Sequence, residues 1–471
     1  NTPKHMNHRV KHLSHLSAFL LGLLTLFMTL PSDAPYTSQQ SYQMFSARVG
    51  SSSDYQRLEQ ANGIPDSIEY RVANRLKNRL NKYKFSSPDI RTIANAIRKK
   101  QDLLRHSINV EFNSDDGKIT KEWEVSLHNY PTWLVPKFSY SKASFEVSKQ
   151  RIIEYMQKHP FDEFAPTVDV TLNGTTMSGS IIRAKTEGIA MAGYELDFDH
   201  TASFIKDAFD KKHSDLVFTY VGRNGRILYN DGLEKKELTL LSEGRSNYNG
   251  STWARMANVR KAISEHVHNV IVEPDSTFSF VETLDAPVTL SKGWRMAKVI
   301  YNGDELRPSP GGGICQASTT VYRAIVKAGL PVIERRSHSL YVSYYKEYGV
   351  GIDATVYPGT QDLSFKNDTG NPIIIQSYTT DENDAVVNFY GVPDGRQVVL
   401  DGPYFSRTAP PDILVNERDM RTNEIVWVQN VIFPSGEETR NLIVSRYKSI
   451  PQNLSKEYKI ADVALNSAVN M

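Results

Sequence analysis

Pro308-Ser309-Pro310-Gly311-Gly312-Gly313-Ile314-Cys315-Gln316-Ala317-Ser318-Thr319-Thr320-Val321-Tyr322-Arg323-Ala324-Ile325-Val326-Lys327-Ala328-Gly329 is the stretch on which the reading of this chain turns. The two prolines discourage helix before Gly311, because proline lacks an N–H and restricts the residue ahead of it. Ala317, Val321, Ala324, Ile325 and Ala328 then recur at helical spacing until Gly329 supplies a stop. Cys315 is thereby expected in the first turn of a helix. Free N–H groups and the positive end of the helix dipole favour a thiolate there, and the same N–H groups can stabilise an oxyanion on a carbonyl under attack. The three glycines let a substrate approach the backbone closely, which makes Gly311, Gly312, Gly313 and the neighbouring Gln316 candidate substrate-binding residues.

Working outward toward the C-terminus, Val332, Glu334, Arg336, His338, Leu340, Val342 and Tyr344 alternate as on one face of a strand, which turns His338 inward. A second strand pattern, residues 352–356, offers Asp353 as the carboxylate that orients an imidazole; Asp362 is the alternative. Cys315 as nucleophile, His338 as general base and Asp353 as orienter form a candidate catalytic triad, with Arg335 beside it as a further substrate-binding candidate. The competing reading makes Cys315 a buried small hydrophobe and His338 a hydrogen-bonded core residue, since free cysteine is commonly buried. Cys315 is the only cysteine of the chain, so no internal disulfide forms. One cysteine and scattered histidines lack the spacing of a zinc ligand set, and no cofactor or metal is implied.

The 471 residues suggest two or three domains. A formal net charge of +2 lacks the basic excess of a nucleic-acid binder. Lys4, Arg9 and Lys11 precede an uncharged apolar run over residues 16–30, followed by Pro31-Ser32-Asp33-Ala34-Pro35. This reads as an export signal over residues 1–35, either cleaved or kept as a membrane anchor, with the remainder outside the cytoplasm.

Residues 36–60 read as a spacer. Ile64, Ile68, Val72, Leu76 and Leu80, then Ser87-Pro88 ahead of Ile90, Ile93, Ala94 and Ile97, predict an amphipathic helical pair over residues 61–106. Residues 107–240 mix strand patterns at 108–112, 123–127, 168–172 and 216–221 with helical stretches at 143–158 and 201–212. Trp133, Tyr130 and Phe138 serve there either as a stacking surface or as core, with core favoured. A helix over residues 251–270 opens a unit running to about 395. Residues 396–471 alternate short strand patterns around Pro434-Ser435-Gly436, a small β extension. The fold class is multidomain α+β.

Two resemblances add to this reading. Asn258-Val259-Arg260, Phe278-Ser279-Phe280, residues 311–322, Glu334-Arg335, His338-Ser339, residues 353–356 and residues 362–367 together resemble the VanW family, named for an accessory protein of vancomycin-resistance clusters. The resemblance covers residues 245–395 and implies cell-envelope work connected with peptidoglycan. Residues 188–197, with Ile205 and the strand at Leu216, resemble the peptidoglycan-binding module of bacterial envelope proteins. Peptidoglycan or wall peptides are thus the implied partners, and the membrane is reached through the N-terminal segment. Two functions follow from the whole: Cys-dependent acyl transfer or hydrolysis on wall peptides, or non-catalytic wall binding with a structural cysteine.

Overall fold

The computed structural model describes residues 68–82, 88–230, 235–301 and 305–449. The expected signal and spacer lie outside these residues. Among the described residues no helix is long and apolar enough to cross a membrane. The chain divides into two compact units, residues up to 165 with 194–222, and residues 166–193 with 223 onward.

In the first unit the expected helical pair is present as Ile68–Lys82 and Ile90–Arg105. The second helix is capped by Asp89, whose carboxylate accepts from the Thr92 N–H at 2.9 Å. The strand Ser107–Ser114 buries Ile108, Val110 and Phe112 in alternation and is the parallel partner of Asp215–Arg223. Thr120–Ser126 and Gly193–Glu195 flank that pair. Helices Lys149–Lys158 and Phe198–Lys211 supply Ile152, Met156, Ile205 and Phe209 to the same core. Residues 143–147, expected to be helical, form a strand paired with Leu134–Phe138, because Phe145 and Val147 alternate into the core before Ser148 caps the helix. Trp133 is buried, so it belongs to that core.

The second unit is built on a closed seven-stranded barrel: β1 (Val170–Ser178), β2 (Ile181–Thr186), β3 (Ile227–Asn230), β4 (Lys235–Asn247), β5 (Val270–Val272), β6 (Ile373–Thr379) and β7 (Asp384–Gly391), in the order β4-β7-β6-β5-β2-β1-β3. Every strand contributes to one apolar cluster through Val170, Ala184, Ile227, Leu238, Ile271, Ile374 and Tyr390, which therefore fills the interior. Alternate residues on the opposite faces, among them Val270, Ile375, Val387 and Phe389, pack with the helix Ile314–Ala328 outside. A module boundary at 240 does not match these units. β1 and β2 lie in sequence between the two segments of the first unit, yet β2 pairs with β5 nearly ninety residues on, and β3 and β4 close the barrel.

Around the barrel lie a hairpin (Met296–Tyr301 with Glu305–Pro310), a small sheet (Thr277–Ser279, Ser364–Lys366, Val332–Glu334), and a C-terminal sheet of Gln397–Phe405, Glu424–Ile432 and Glu438–Arg446. The C-terminal sheet is docked on the cysteine helix: Gln429 donates to the Val326 carbonyl at 2.6 Å, and Val398 and Val431 close over Gly329. The helix expected over residues 251–270 runs from Trp253 to Lys261 and continues as a wider turn, Ala262–Val267.

Candidate active site

The cysteine helix starts and stops where the glycines require. Gly313 holds φ +120° at its N-terminus, and Gly329 at φ +66° closes its C-terminus with its N–H on the Ile325 and Val326 carbonyls. Cys315 is in the first turn. The N–H groups of Ile314 and Gln316 are taken by the Gly311 and Gly313 carbonyls at 3.0 and 2.9 Å, whereas among the described residues no such backbone acceptor meets the Cys315 N–H.

Unlike an amphipathic surface helix, this one is buried on nearly all sides; Lys327 is exposed and Cys315 partly so. Its polar side chains consequently need internal partners. Ser318 donates to the Ala354 carbonyl at 2.7 Å, and Thr319 accepts from the Ala354 N–H at 3.1 Å. Arg323 donates to the carbonyls of Ile352, Tyr345, Gly349 and Arg245. Residues 352–356, expected as a strand, therefore have no ladder. Their backbone is held by the side chains of the cysteine helix and by Thr355 N–H on the Arg336 carbonyl at 2.8 Å. The expected strand through His338 likewise ends early, at Glu334, and residues 343–348 form a short helical turn.

These irregular segments bring Cys315, His338 and Asp353 together. The Asp353 carboxylate accepts from the His338 backbone N–H at 2.8 Å and is 2.5 Å from its Nδ1 through the same oxygen, which leaves Nε2 for the sulfur. The imidazole and the sulfur are near enough for each to stabilise the other's charged form. His338 and Asp353 are buried, and the residue Cys315 is partly exposed while its sulfur is packed inward. Thr355 Oγ1 and the Val356 carbonyl lie 3.6 and 3.5 Å from the sulfur.

Burial alone would push the thiol up, but the hydrogen bond and charge of His338 outweigh it and bring Cys315 down to about 7. Burial also opposes the imidazolium, yet Asp353 and the sulfur raise His338 to about 9. Asp353 is pushed up by burial and brought down to about 2 by His338, Arg335 and Tyr447. With the thiol below the imidazole, the thiolate and imidazolium form is favoured over the neutral pair.

Asp362 takes no part. It accepts from Ser279 Oγ at 2.5 Å and from the Val281 N–H at 2.9 Å, anchoring the short helix Phe280–Thr283.

The expected substrate-binding roles of the glycines, Gln316 and Arg335 meet a different geometry. Gly311, Gly312 and Gly313 are buried, and a Cβ at Gly312 would lie 2.4 Å from the Ala297 carbonyl oxygen, so glycine there serves close backbone packing. Gln316 is buried among Arg255, Ser246 and the Asn247 carbonyl. Arg335 is turned inward onto Asp353, the Val444 carbonyl and Ser445 Oγ. Beside the glycine loop a groove of about 410 Å³ is lined by Ala254, Leu290, Gly293, Trp294, Arg295 and Met296, and the Arg295 guanidinium stands over the exposed Trp253 ring at 4.3 Å. The groove follows from the Arg295 carbonyl accepting the Gly311 N–H at 3.1 Å. Sequence reading missed Asn258 as the clamp of that loop, with its amide on the carbonyls of Arg295 and Gly312 at 2.9 Å each; its only signal was membership of the family motif.

Comparison with known proteins places a family match on this region. The family model described as VanW like protein matches residues 254–390, inside the 245–395 expected from sequence. The chain is 39% identical over 133 residues to the uncharacterized protein YoaR of Bacillus subtilis (strain 168), covering 28% of this chain and 41% of that one. It is 29% identical over 114 residues to the vancomycin B-type resistance protein VanW of Enterococcus faecalis (strain ATCC 700802 / V583), covering 23% and 40%. The matches thus span about two fifths of each relative's length. No solved structure matches the chain.

Proposed function

Given that this chain carries a VanW-like domain at residues 254–390, we propose that it is an exported cell-envelope protein whose second unit performs thiol-dependent acyl transfer or hydrolysis on wall peptides. The observation that carries this reading is the convergence of Cys315, His338 and Asp353, with His338 Nδ1 on the Asp353 carboxylate and Cys315 at the partly exposed start of its helix. The resistance role in the name of one relative, the vancomycin B-type resistance protein VanW, supports the envelope setting.

In the proposed reaction the Cys315 thiolate adds to an amide carbonyl carbon, and the Cys315 N–H faces the developing oxyanion. The C–N bond breaks as His338 gives its proton to the departing amine, leaving a thioester. Water or a second amine then adds, its proton passes to His338, and the C–S bond breaks to restore the thiolate. The substrate backbone lies in the groove between Leu290 and Arg295, with the first unit binding peptidoglycan. Purified wall peptides incubated with the protein test the idea. Mass spectrometry is expected to find cleaved or exchanged peptides with wild type and none with Cys315→Ala. Equal product with both proteins refutes it.

The close packing of the sulfur against Val356 and Thr355 favours a second reading, a non-catalytic wall-binding protein with a structural cysteine. That reading requires a thiol titrating at or above its ordinary value, together with retention of the protein on peptidoglycan after Cys315→Ala.

A further inference from the structure

The C-terminal sheet is joined to the catalytic groups through a continuous seam. Arg335 donates to the Val444 carbonyl at 2.9 Å and to Ser445 Oγ at 2.5 Å, the Arg446 N–H meets Ser337 Oγ at 3.3 Å, and the Lys448 N–H meets the Ser339 carbonyl at 2.6 Å. Residues 335–339, which carry His338, thus run alongside residues 444–448. At the centre of the seam the Tyr447 hydroxyl donates to Asp353 Oδ1 at 2.6 Å, while the other carboxylate oxygen serves His338. Tyr447 is 2% exposed, so this bond is shielded from bulk solvent. Its other close neighbour on this side is Tyr341, ring to ring at 5.4 Å. The remaining partner of Oδ1 is Arg335 at 3.4 Å, too long to fix the carboxylate plane by itself. The VanW-like match ends at residue 390, so this contact reaches the site from outside the matched segment.

We propose that Tyr447 is a positioning residue of the thiol site: its hydroxyl fixes the plane of the Asp353 carboxylate so that Oδ2 stays on His338 Nδ1, and the C-terminal sheet is thereby a working part of the site. The inference rests on the thiolate–imidazolium reading. Without the phenol, Oδ1 is left buried with only the long Arg335 contact. The carboxylate turns toward Arg335, its bond to Nδ1 weakens, the imidazolium is less stabilised, and the thiol rises. A purely electrostatic role gives the opposite sign, because a carboxylate relieved of a donor is more basic and holds imidazolium harder.

The test is the pH dependence of Cys315 alkylation in the folded full chain, for wild type, Tyr447→Phe and Tyr341→Phe. Tyr447→Phe keeps the ring and removes one hydroxyl. Tyr341→Phe removes from the same aromatic pair a hydroxyl that has no hydrogen-bond partner among the described residues, and so reports any general loosening. The midpoint is expected to move up by about one pH unit in Tyr447→Phe, enough to cut the thiolate fraction at pH 7 about fivefold, and to stay put in Tyr341→Phe. An unmoved or lowered midpoint in Tyr447→Phe, or an equal shift in Tyr341→Phe, overturns the positioning role. A wild-type thiol titrating near its ordinary value instead overturns the underlying reading, so the two failures are distinct.

Discussion

Replacing His338 by alanine removes the group that outweighs burial at Cys315, and the structure sets the size of the effect. With the imidazole present the thiol is at about 7. Without it, burial remains and the thiol returns to about 9 or above, roughly two units higher. At pH 7.5 the thiolate fraction then falls from about three quarters to about 3%, roughly a 25-fold loss. A thiolate of higher pKa is, however, the better nucleophile, by about eightfold over two units at a Brønsted slope of 0.4–0.5. The two effects oppose, so the rate with an aromatic disulfide probe should drop only about threefold at pH 7.5 and exceed wild type about twofold at pH 8.5, where His338 still holds its proton. Crossing rate–pH curves are the signature, and a single-pH rate would understate it. His338→Gln, which preserves more of the volume, serves as the second variant, with thermal melting to show that both stay folded. Parallel curves with one midpoint would refute the thiolate–imidazolium pair and leave Cys315 as an ordinary thiol.

Turnover on any wall peptide should follow a bell in pH, rising through about 7 as the thiol ionises and falling through about 9 as His338 loses the proton owed to the leaving amine; a monotonic profile contradicts these roles. Gly312→Ala should destabilise the fold by about 3 kcal/mol or more, since its Cβ meets the Ala297 carbonyl oxygen, and chemical denaturation measures this directly. Gln316→Ala strands Ser246, Arg255 and the Asn247 carbonyl and should cost about 2–4 kcal/mol by the same measurement. If its KM rises while stability is kept, Gln316 contacts substrate after all.

The cysteine helix was legible in its punctuation. Pro308, Pro310, Gly313 and Gly329 mark both ends, and the apolar spacing between them is helical. The burial of its other faces was hidden, because Gln316, Ser318, Thr319, Thr320 and Arg323 look like a solvated side until their partners are known. His338 and Asp353 were identified by residue type and order, but through strands that the chain does not form. Burial does not follow the period-two pattern there: Val332, Glu334 and Arg336 are exposed, whereas Leu340, Tyr341 and Val342, and Ile352, Asp353 and Ala354, are buried in succession on an irregular backbone pinned by Ser318, Thr319 and Arg323. Tyr447 lies 94 residues from Asp353, and nothing local marks it. The unit boundary escaped for a related reason: β2 carries no trace of its distant partner β5.

The charge arrangement explains why such a site tolerates burial. An isolated thiolate removed from water is costly, and so is an isolated imidazolium. Here they form together beside a second pair, Asp353 with Arg335, so that two cations face two anions in one water-poor cluster. Protonating the sulfur while His338 stays charged leaves one cation in excess. Moving the proton from His338 to the sulfur keeps the net charge but removes one of the two cations on Asp353, leaving Arg335, and this loss favours the ionised pair over the neutral one. The balance depends on Arg335 being held to the cluster by Val444 and Ser445, and on Asp353 being held by Tyr447. The thiol chemistry therefore draws on a helix, two irregular loops and a sheet that arrives last in the chain, and the site exists only when all of them are folded.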